Sequence, residues 1–491
     1  LADKAKYALP IFLLGVALYL GSLRAPFFYD DVAFVQHNPA VKSVRAAVAT
    51  FGLASAGASD PVLCRHTFRP LLPLLYATAS AVFGTGPFGY HVLVVLLHAV
   101  NGVLFFFVFL RFGLARPWAC FAAALFVAHP VNVESPAWIS GLDDISWVTF
   151  FLAALLVYLR WRERGGAWRF AAAVALYTIS VLLKETAAAM PLAWLVLEFT
   201  QPAGERKHPR LASLIFFAPA LGYMLWRTLA VGGLTQLDAF IAGSFKNTLL
   251  TTIVIFADYL RLLFFPVNLM LEYNPVIRRS PLDFWVIASA LLLLGVFLHF
   301  GVRRVRTAAG FFFWLALFSL APAANILPIN ALQNERFVYF ASASFAFLLA
   351  RALADATASR PRLRLVAPLL VAMFGALTIA RVDVWREPLR LWADCVKKNP
   401  ASVLAHRDLG VEYVQRGNLV GAEREFGEAL AQDGGRTRSY QTLGYVHLLM
   451  GECDRAAREF QLFLADNPAD PATLEQYQKA LNCRTPGAPP P

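Results

Sequence analysis

The sequence predicts an all-α protein in two parts. Residues 1–381 form a polytopic membrane bundle of about eleven crossing helices, 382–485 form a solenoid of helix pairs, and 486–491 form a disordered Pro-rich tail. Three observations predict this. Of 491 residues, 58% are hydrophobic and only 15% are charged, where a soluble chain carries about a quarter charged residues. The deficit is confined to the first part, whereas 382–485 has an ordinary soluble composition. Near the C-terminus, residue identities recur at a fixed period.

A helix needs about twenty apolar residues to cross the hydrocarbon core, where no water satisfies an unpaired backbone group. The candidate spans are 7–24, 89–110, 117–136, 145–161, 168–183, 187–199, 211–229, 284–302, 309–327, 336–353 and 364–381. The first follows Lys4 and Lys6 without a clear small-residue cleavage pattern and reads as a retained span. Two further apolar runs, 71–84 and 247–265, are settled by charge. Basic clusters follow the second, fourth, sixth, eighth and tenth spans: Arg111 with Arg116; Arg160, Arg162, Arg164 and Arg169; Arg206, Lys207 and Arg210; Arg303, Arg304 and Arg306; Arg360, Arg362 and Arg364. If all five are cytoplasmic, an even number of crossings separates consecutive clusters. The run 247–265 carries Asp258 and Arg261, ends at Pro266, and becomes an interfacial or re-entrant helix. The run 71–84 is too short and would break parity. The N-terminus then lies inside and the C-terminus outside.

The net charge of +12 sits in these short clusters between apolar runs, not on one face of a soluble domain. It therefore speaks for positive-inside loops and against nucleic-acid binding. The same topology gathers most acidic residues of the first part in outer loops: Asp30, Asp31, Asp60, Glu134, Asp143, Asp144, Glu185, Asp238, Glu272, Asp283 and Glu335. Inner loops hold few besides Glu163, Glu205 and Asp355. The five cysteines form no metal-spaced motif; Cys453 and Cys483 could pair in an oxidising compartment or remain free thiols.

The repeat has a spacing of 34. Gly410 pairs with Gly444, Gly417 with Gly451, Ala422 with Ala456 and Phe426 with Phe460, and Trp392 extends the last series upstream. That period, with small residues where two helices touch, is the tetratricopeptide signature. It covers two full repeats, a half-repeat at 386–400 and a capping helix near 470–482. Such repeats build concave binding surfaces, and a cap without a ligand is the other reading.

Four groups in the outer loops could carry chemistry. Phe27-Phe28-Tyr29-Asp30-Asp31 sets two carboxylates at an apolar boundary, where burial and mutual repulsion raise a pKa and a general base becomes available; a helix cap and solvated loop is the plainer reading. His129 and Glu134, followed by Asp143 and Asp144, put dense polar groups at the ends of two spans. Lys184-Glu185 joins two apolar helices and reads equally as a structural ion pair. Glu335-Arg336, with Tyr339 following, opens the tenth span; Arg336 with Arg69 and Lys184 could clamp a phosphate, or Arg336 could simply snorkel. His91 and His98, seven apart on one helix, read as polar packing contacts. Gly-rich phosphate loops, Ser/His/Asp elbows and zinc-spaced His pairs are absent from the sequence.

Together the strings FFYDDVAFVQHNPAV (27–41), FRPL (68–71), PFGYHVLVVLLHAVN (87–101), AHPVNVESPAWISGLDD (128–144), LLKE (182–185) and NERFVYFAS (334–342), with the trailing repeats, resemble the transmembrane and tetratricopeptide-repeat O-mannosyltransferases and their bacterial relatives. These belong to the GT-C glycosyltransferase superfamily. The family's Gly-Arg-small-Asp string reads Gly141-Leu142-Asp143-Asp144 here, without the arginine.

The resemblance implies a GT-C-like bundle and an inverting transferase whose donor is a polyprenyl-phosphate-linked, mannose-like sugar. It implies Asp30, in preference to Asp31, as the base. Arg336, Lys184 and Arg69 would stabilise the departing phosphate, Glu335 would orient Arg336, and Asp144 would hold acceptor or sugar. His129, Glu134, Asp143, Glu185, Tyr339 and His91 would support substrate binding. The expected setting is a bacterial inner membrane with the site and repeats periplasmic, and the expected partner is an acceptor protein docked by the repeats. A glycan or lipid acceptor, and a non-catalytic membrane scaffold, are the competing readings. A metal requirement stays open.

Overall fold

The computed structural model describes residues 2–52, 67–200, 210–233, 239–432 and 438–483. Cys64, Asp60, Glu205, Arg206, Lys207, Asp238 and the tail 486–491 lie outside the described residues. The chain divides into two compact units. One holds residues 1–269 and 275–386, and the other Met270–Asn274 and 387–491. The break falls five residues beyond the composition shift.

In the first unit we number the helices α1 Ala2–Leu18, α2 Leu72–Phe83, α3 Pro87–Arg111, α4 Arg116–Ala128, α5 Leu142–Arg164, α6 Ala167–Leu183, α7 Pro191–Thr200, α8 Phe217–Val231, α9 Phe245–Phe264, α10 Phe284–Val296, α11 Ala308–Leu320, α12 Tyr339–Ser359 and α13 Val366–Trp385. Among the described residues, seven helical segments are long and apolar enough to cross a membrane: Pro87–Arg111, Ile139–Arg164, Leu211–Val231, Phe245–Phe264, Phe284–Arg303, Glu335–Ser359 and Pro361–Trp385. Shorter apolar helices include Lys6–Leu18, Arg116–Ala128, Ala167–Leu183 and Ala308–Ala324. The fold is an all-α polytopic membrane bundle.

Cross-contacts identify the two ends of this bundle. At one end Arg111 pairs with Glu163 at 2.8 Å, Arg162 with Glu198 at 2.9 Å, and Phe112 stacks on Phe311 at 4.5 Å. At the other, Leu71 N donates to Leu182 O, Thr378 donates to Ala128 O, and Trp138 meets Trp385. These contacts place the C-terminal ends of α3, α5 and α7 and the start of α11 at the first end, and the C-terminal ends of α4, α6 and α13 at the other. Helix α7 is only ten residues long. The 3₁₀ turn Glu185–Ala189 precedes it and adds length to the segment, since a 3₁₀ turn rises about 2.0 Å per residue against about 1.5 Å in an α-helix.

Helix α9 has the length and composition of a crossing helix, and its C-terminal end meets the second rim at His129. Thr251 Oγ1 accepts from Arg278 N, close to the Asp283 cap of α10, and Leu263 O accepts from His129.

The second unit holds α14 Pro388–Lys398, α15 Val403–Gln415, α16 Leu419–Gln432, α17 Arg438–Leu449, α18 Cys453–Asp466 and α19 Pro471–Cys483. The period has a steric cause. A Cβ on Gly410 would stand 2.6 Å from the Phe426 ring, and one on Gly444 2.8 Å from the Phe460 ring. Gly417 and Gly451 take φ of 74° and 79° where each first helix ends, a conformation that costs other residues. Cys453 and Cys483 are joined in a disulfide with Cα atoms 5.9 Å apart, tying the start of α18 to the end of α19.

Candidate functional site

The second rim collects nearly all the charged residues singled out in the sequence. Asp30 and Asp31 open a short helical segment after the first helix, and Tyr29 precedes them at φ 51°. A bulky residue rarely adopts that left-handed conformation, and it persists only where surroundings enforce it. Asp30 is half-exposed and Asp31 fully buried. The Asp31 Oδ1 accepts from Ser140 N at 2.8 Å and Ser140 Oγ at 2.5 Å. Burial pushes the Asp31 carboxyl up to about 8, the Ser140 bonds pull it back, and the Asp30 charge adds to the rise.

The cations are paired, in two patterns. Arg69 donates from Nε and Nη2 to both oxygens of Glu185, at 3.2 and 3.1 Å, and from Nη1 to Asp143 at 2.6 Å. Lys184 bridges Asp143 at 3.2 Å and Asp144. Burial alone would raise the Glu185 carboxyl, but the Arg69 charge and its two bonds hold it at about 2. This lattice joins the loop before α2, the first turn of α5 and the link after α6. Such desolvated pairs are costly to break from one side.

Arg336 is engaged differently. Its backbone N and Nη1 both donate to Glu134, at 2.9 and 2.7 Å, and its guanidinium lies 5.6 Å over the Trp138 ring. Glu134 has no solvent exposure, while the Arg336 side chain keeps 21%. Tyr29, which precedes Asp30, packs on the same Trp138 ring at 6.0 Å. A half-exposed carboxylate and a half-exposed guanidinium thus share one rim, beside a self-satisfied ionic lattice.

Several expected roles change. Arg69 and Lys184 each already face two carboxylates, so Arg336 is the cation best placed for an incoming anion. Glu335 does not orient Arg336: it is fully buried and faces Arg381 at 3.8 Å, and Glu134 holds Arg336 instead. Asp144 binds Lys184 instead of standing open for substrate. His129 caps the 3₁₀ turn Pro130–Asn132 through Nδ1, and its Nε2 meets Leu263 O at 2.9 Å, which leaves no ring nitrogen for a ligand. Tyr339 sits in a buried seam with His98 at 2.8 Å and Asn101 at 3.2 Å. His91 is fully buried. Sequence reasoning passed over Ser140, Trp138 and Arg381. The first two lay inside a quoted string but carry no charge to flag them; Arg381 looked like the basic end of a span.

No family model matches the chain. The Caenorhabditis elegans protein O-mannosyl-transferase F38B6.6 is 25% identical over 438 residues, which take in 86% of this chain and 62% of the relative. Mouse protein O-mannosyl-transferase TMTC2 is 34% identical over 153 residues, 30% of this chain and 18% of its own length. The chain is similar in sequence to protein O-mannosyl-transferases. It spans less than two thirds of the length of these relatives. Among solved structures, the apo Archaeoglobus fulgidus oligosaccharyltransferase aligns with 77% of this chain and 56% of its own, at 16% identity and a TM-score of 0.40, too loose an overlap to carry an argument. The rim residues all come from the first unit.

Proposed function

We propose that the chain is an inverting membrane glycosyltransferase. It moves a mannose-like sugar from a polyprenyl-phosphate carrier to an acceptor hydroxyl, a protein Ser or Thr, on the non-cytoplasmic face. The observation that carries this reading is that the half-exposed Arg336 and Tyr29, the neighbour of the half-exposed Asp30, pack on the same Trp138 ring. Arg111 and Arg162 lie at the opposite end, paired with Glu163 and Glu198, and basic residues favour the cytoplasmic side. The mannose-like sugar follows the similarity to protein O-mannosyl-transferases.

In the proposed step Asp30 takes the acceptor hydroxyl proton. The hydroxyl oxygen forms a bond to the anomeric carbon as the bond from that carbon to the carrier phosphate breaks. The electron pair leaves on the phosphate oxygen, where the Arg336 charge stabilises it; preorganised charge of this kind acts where negative charge develops. The Arg69–Glu185–Asp143–Lys184–Asp144 lattice fixes the rim instead of binding the phosphate. The repeat unit recruits the acceptor protein.

Incubating the purified chain with a panel of radiolabelled polyprenyl-phosphate sugars and Ser/Thr peptides tests the reading. Transfer is expected from a mannosyl donor, and Asp30→Asn should lower it by about 10²–10⁴-fold, the usual contribution of a general base. Turnover of no donor in the panel would end the proposal. Deleting 401–485 should impair a protein acceptor far more than a saccharide; equal loss would remove the recruiting role.

A further inference from the structure

The turn 138–140 touches both halves of the proposed reaction centre. Ser140 latches Asp31 through its backbone N and its hydroxyl. The Trp138 ring lies 6.3 Å from Phe28 and 6.0 Å from Tyr29, and the Arg336 guanidinium sits 5.6 Å from the same ring. Trp138 itself is 3% exposed, and Trp385 backs both it and Phe28, at 6.3 and 6.1 Å. The turn has no slack: a Cβ on Gly141 would stand 2.2 Å from Ser135 O, so only glycine lets the chain close there. One rigid turn therefore holds the segment presenting Asp30 on one side and the Arg336 guanidinium on the other.

We propose that Trp138 and Ser140 are positioning residues: Ser140 latches the acidic loop to the turn, Trp138 carries Arg336, and the turn sets the separation of base and cation. This rests on the transferase reading above. The left-handed Tyr29 fits the same scheme, because the Asp31 latch on one side and the Phe28 and Tyr29 ring contacts on the other enforce a backbone shape that would otherwise relax. A base displaced by about 1 Å loses on the order of 10²-fold in rate while substrate binding elsewhere is untouched. The latch is thus expected to act on kcat, not on donor KM.

The test uses the full chain in detergent or nanodiscs. Ser140→Ala removes the hydroxyl bond and keeps the backbone one. It should lower kcat by about 10- to 100-fold with donor KM within about two-fold, and Ser140→Thr, which restores a hydroxyl, should recover most of the loss. Trp138→Phe keeps a smaller ring and should raise donor KM through Arg336. A second readout needs no turnover. With Asp30→Cys, the rate of maleimide labelling at position 30, read by peptide mass spectrometry, should rise when Ser140→Ala is added and fall back with Ser140→Thr. If labelling responds in this way while the wild-type chain turns over no lipid-linked sugar, the transferase reading fails and the latch stands. If Ser140→Ala changes neither kcat nor labelling, or lowers kcat without rescue by Thr, the positioning role is overturned.

Discussion

Replacing Glu134 by Gln removes one charge and turns one acceptor into a donor at a side chain with no solvent exposure. In the native rim Oε2 accepts the Arg336 backbone N at 2.9 Å and Oε1 accepts Nη1 at 2.7 Å. The amide satisfies one of these and points its own NH₂ at the other. A hydrogen bond to a charged group contributes about 1.5–3 kcal/mol, and stripping one partner from a buried pair costs about 3–5 kcal/mol. These figures describe overlapping losses and do not add. Because the Arg336 side chain keeps 21% exposure, water recovers part, and about 2–4 kcal/mol is expected. The assay is a double-mutant cycle of Glu134→Gln and Arg336→Gln, read by thermal unfolding in detergent and by donor KM. The single variant should melt several degrees lower and bind donor more weakly. The pair should show a coupling of about 1–3 kcal/mol. Additive losses, or a Glu134→Gln variant with unchanged melting and KM, would refute the assignment of Glu134 as the holder of Arg336.

Three further outcomes are expected. Arg69→Lys cannot reproduce three bonds to two carboxylates from one ammonium; it should cost about 1–3 kcal/mol in thermal unfolding while leaving donor KM nearly unchanged. The Asp31 carboxyl sits at about 8, above its unfolded value of about 3.9, so the folded chain binds this proton more tightly. Its contribution is fully present below the unfolded value, falls as pH rises and is lost above about 8. Melting curves between about pH 5 and pH 9 should therefore lose part of their alkaline decline in Asp31→Asn. Reducing the Cys453–Cys483 disulfide, which closes a separation of 30 residues, should destabilise the repeat unit by about 3–4 kcal/mol, seen as faster hydrogen exchange in α18 and α19; unchanged exchange would deny the bond a stabilising part.

The repeat unit was legible position by position, because each recurring residue answers a local steric demand. Gly410 and Gly444 make room for Phe426 and Phe460, and Gly417 and Gly451 supply a left-handed backbone. The long apolar helices were legible from hydropathy, which alone left 71–84 and 247–265 ambiguous; the second of these is a continuous helix, Phe245–Phe264, with the length and composition of a crossing helix. The rim was legible as a set of charges but not as a set of pairs. Arg69 meets Glu185 across 116 positions and Arg336 meets Glu134 across 202, and no local pattern says which distant carboxylate a cation will find. Adjacency misled at Glu335: on the 3₁₀ turn Glu335–Val338 neighbours point apart, so Glu335 faces Arg381 while Arg336 faces Glu134. Ser140 was invisible because an uncharged hydroxyl announces nothing until the acid it latches is seen buried.

The most direct trial of the account is a single-turnover quench with a radiolabelled polyprenyl-phosphate mannose and a Ser/Thr peptide, following sugar on peptide and free carrier phosphate together. The wild-type chain should yield both products in equal amounts with inverted anomeric configuration, and Asp30→Asn should slow the release of both by about 10²–10⁴-fold. Retained configuration, or undiminished transfer by Asp30→Asn, would contradict the claim that this carboxylate and Arg336 act on one sugar from one rim.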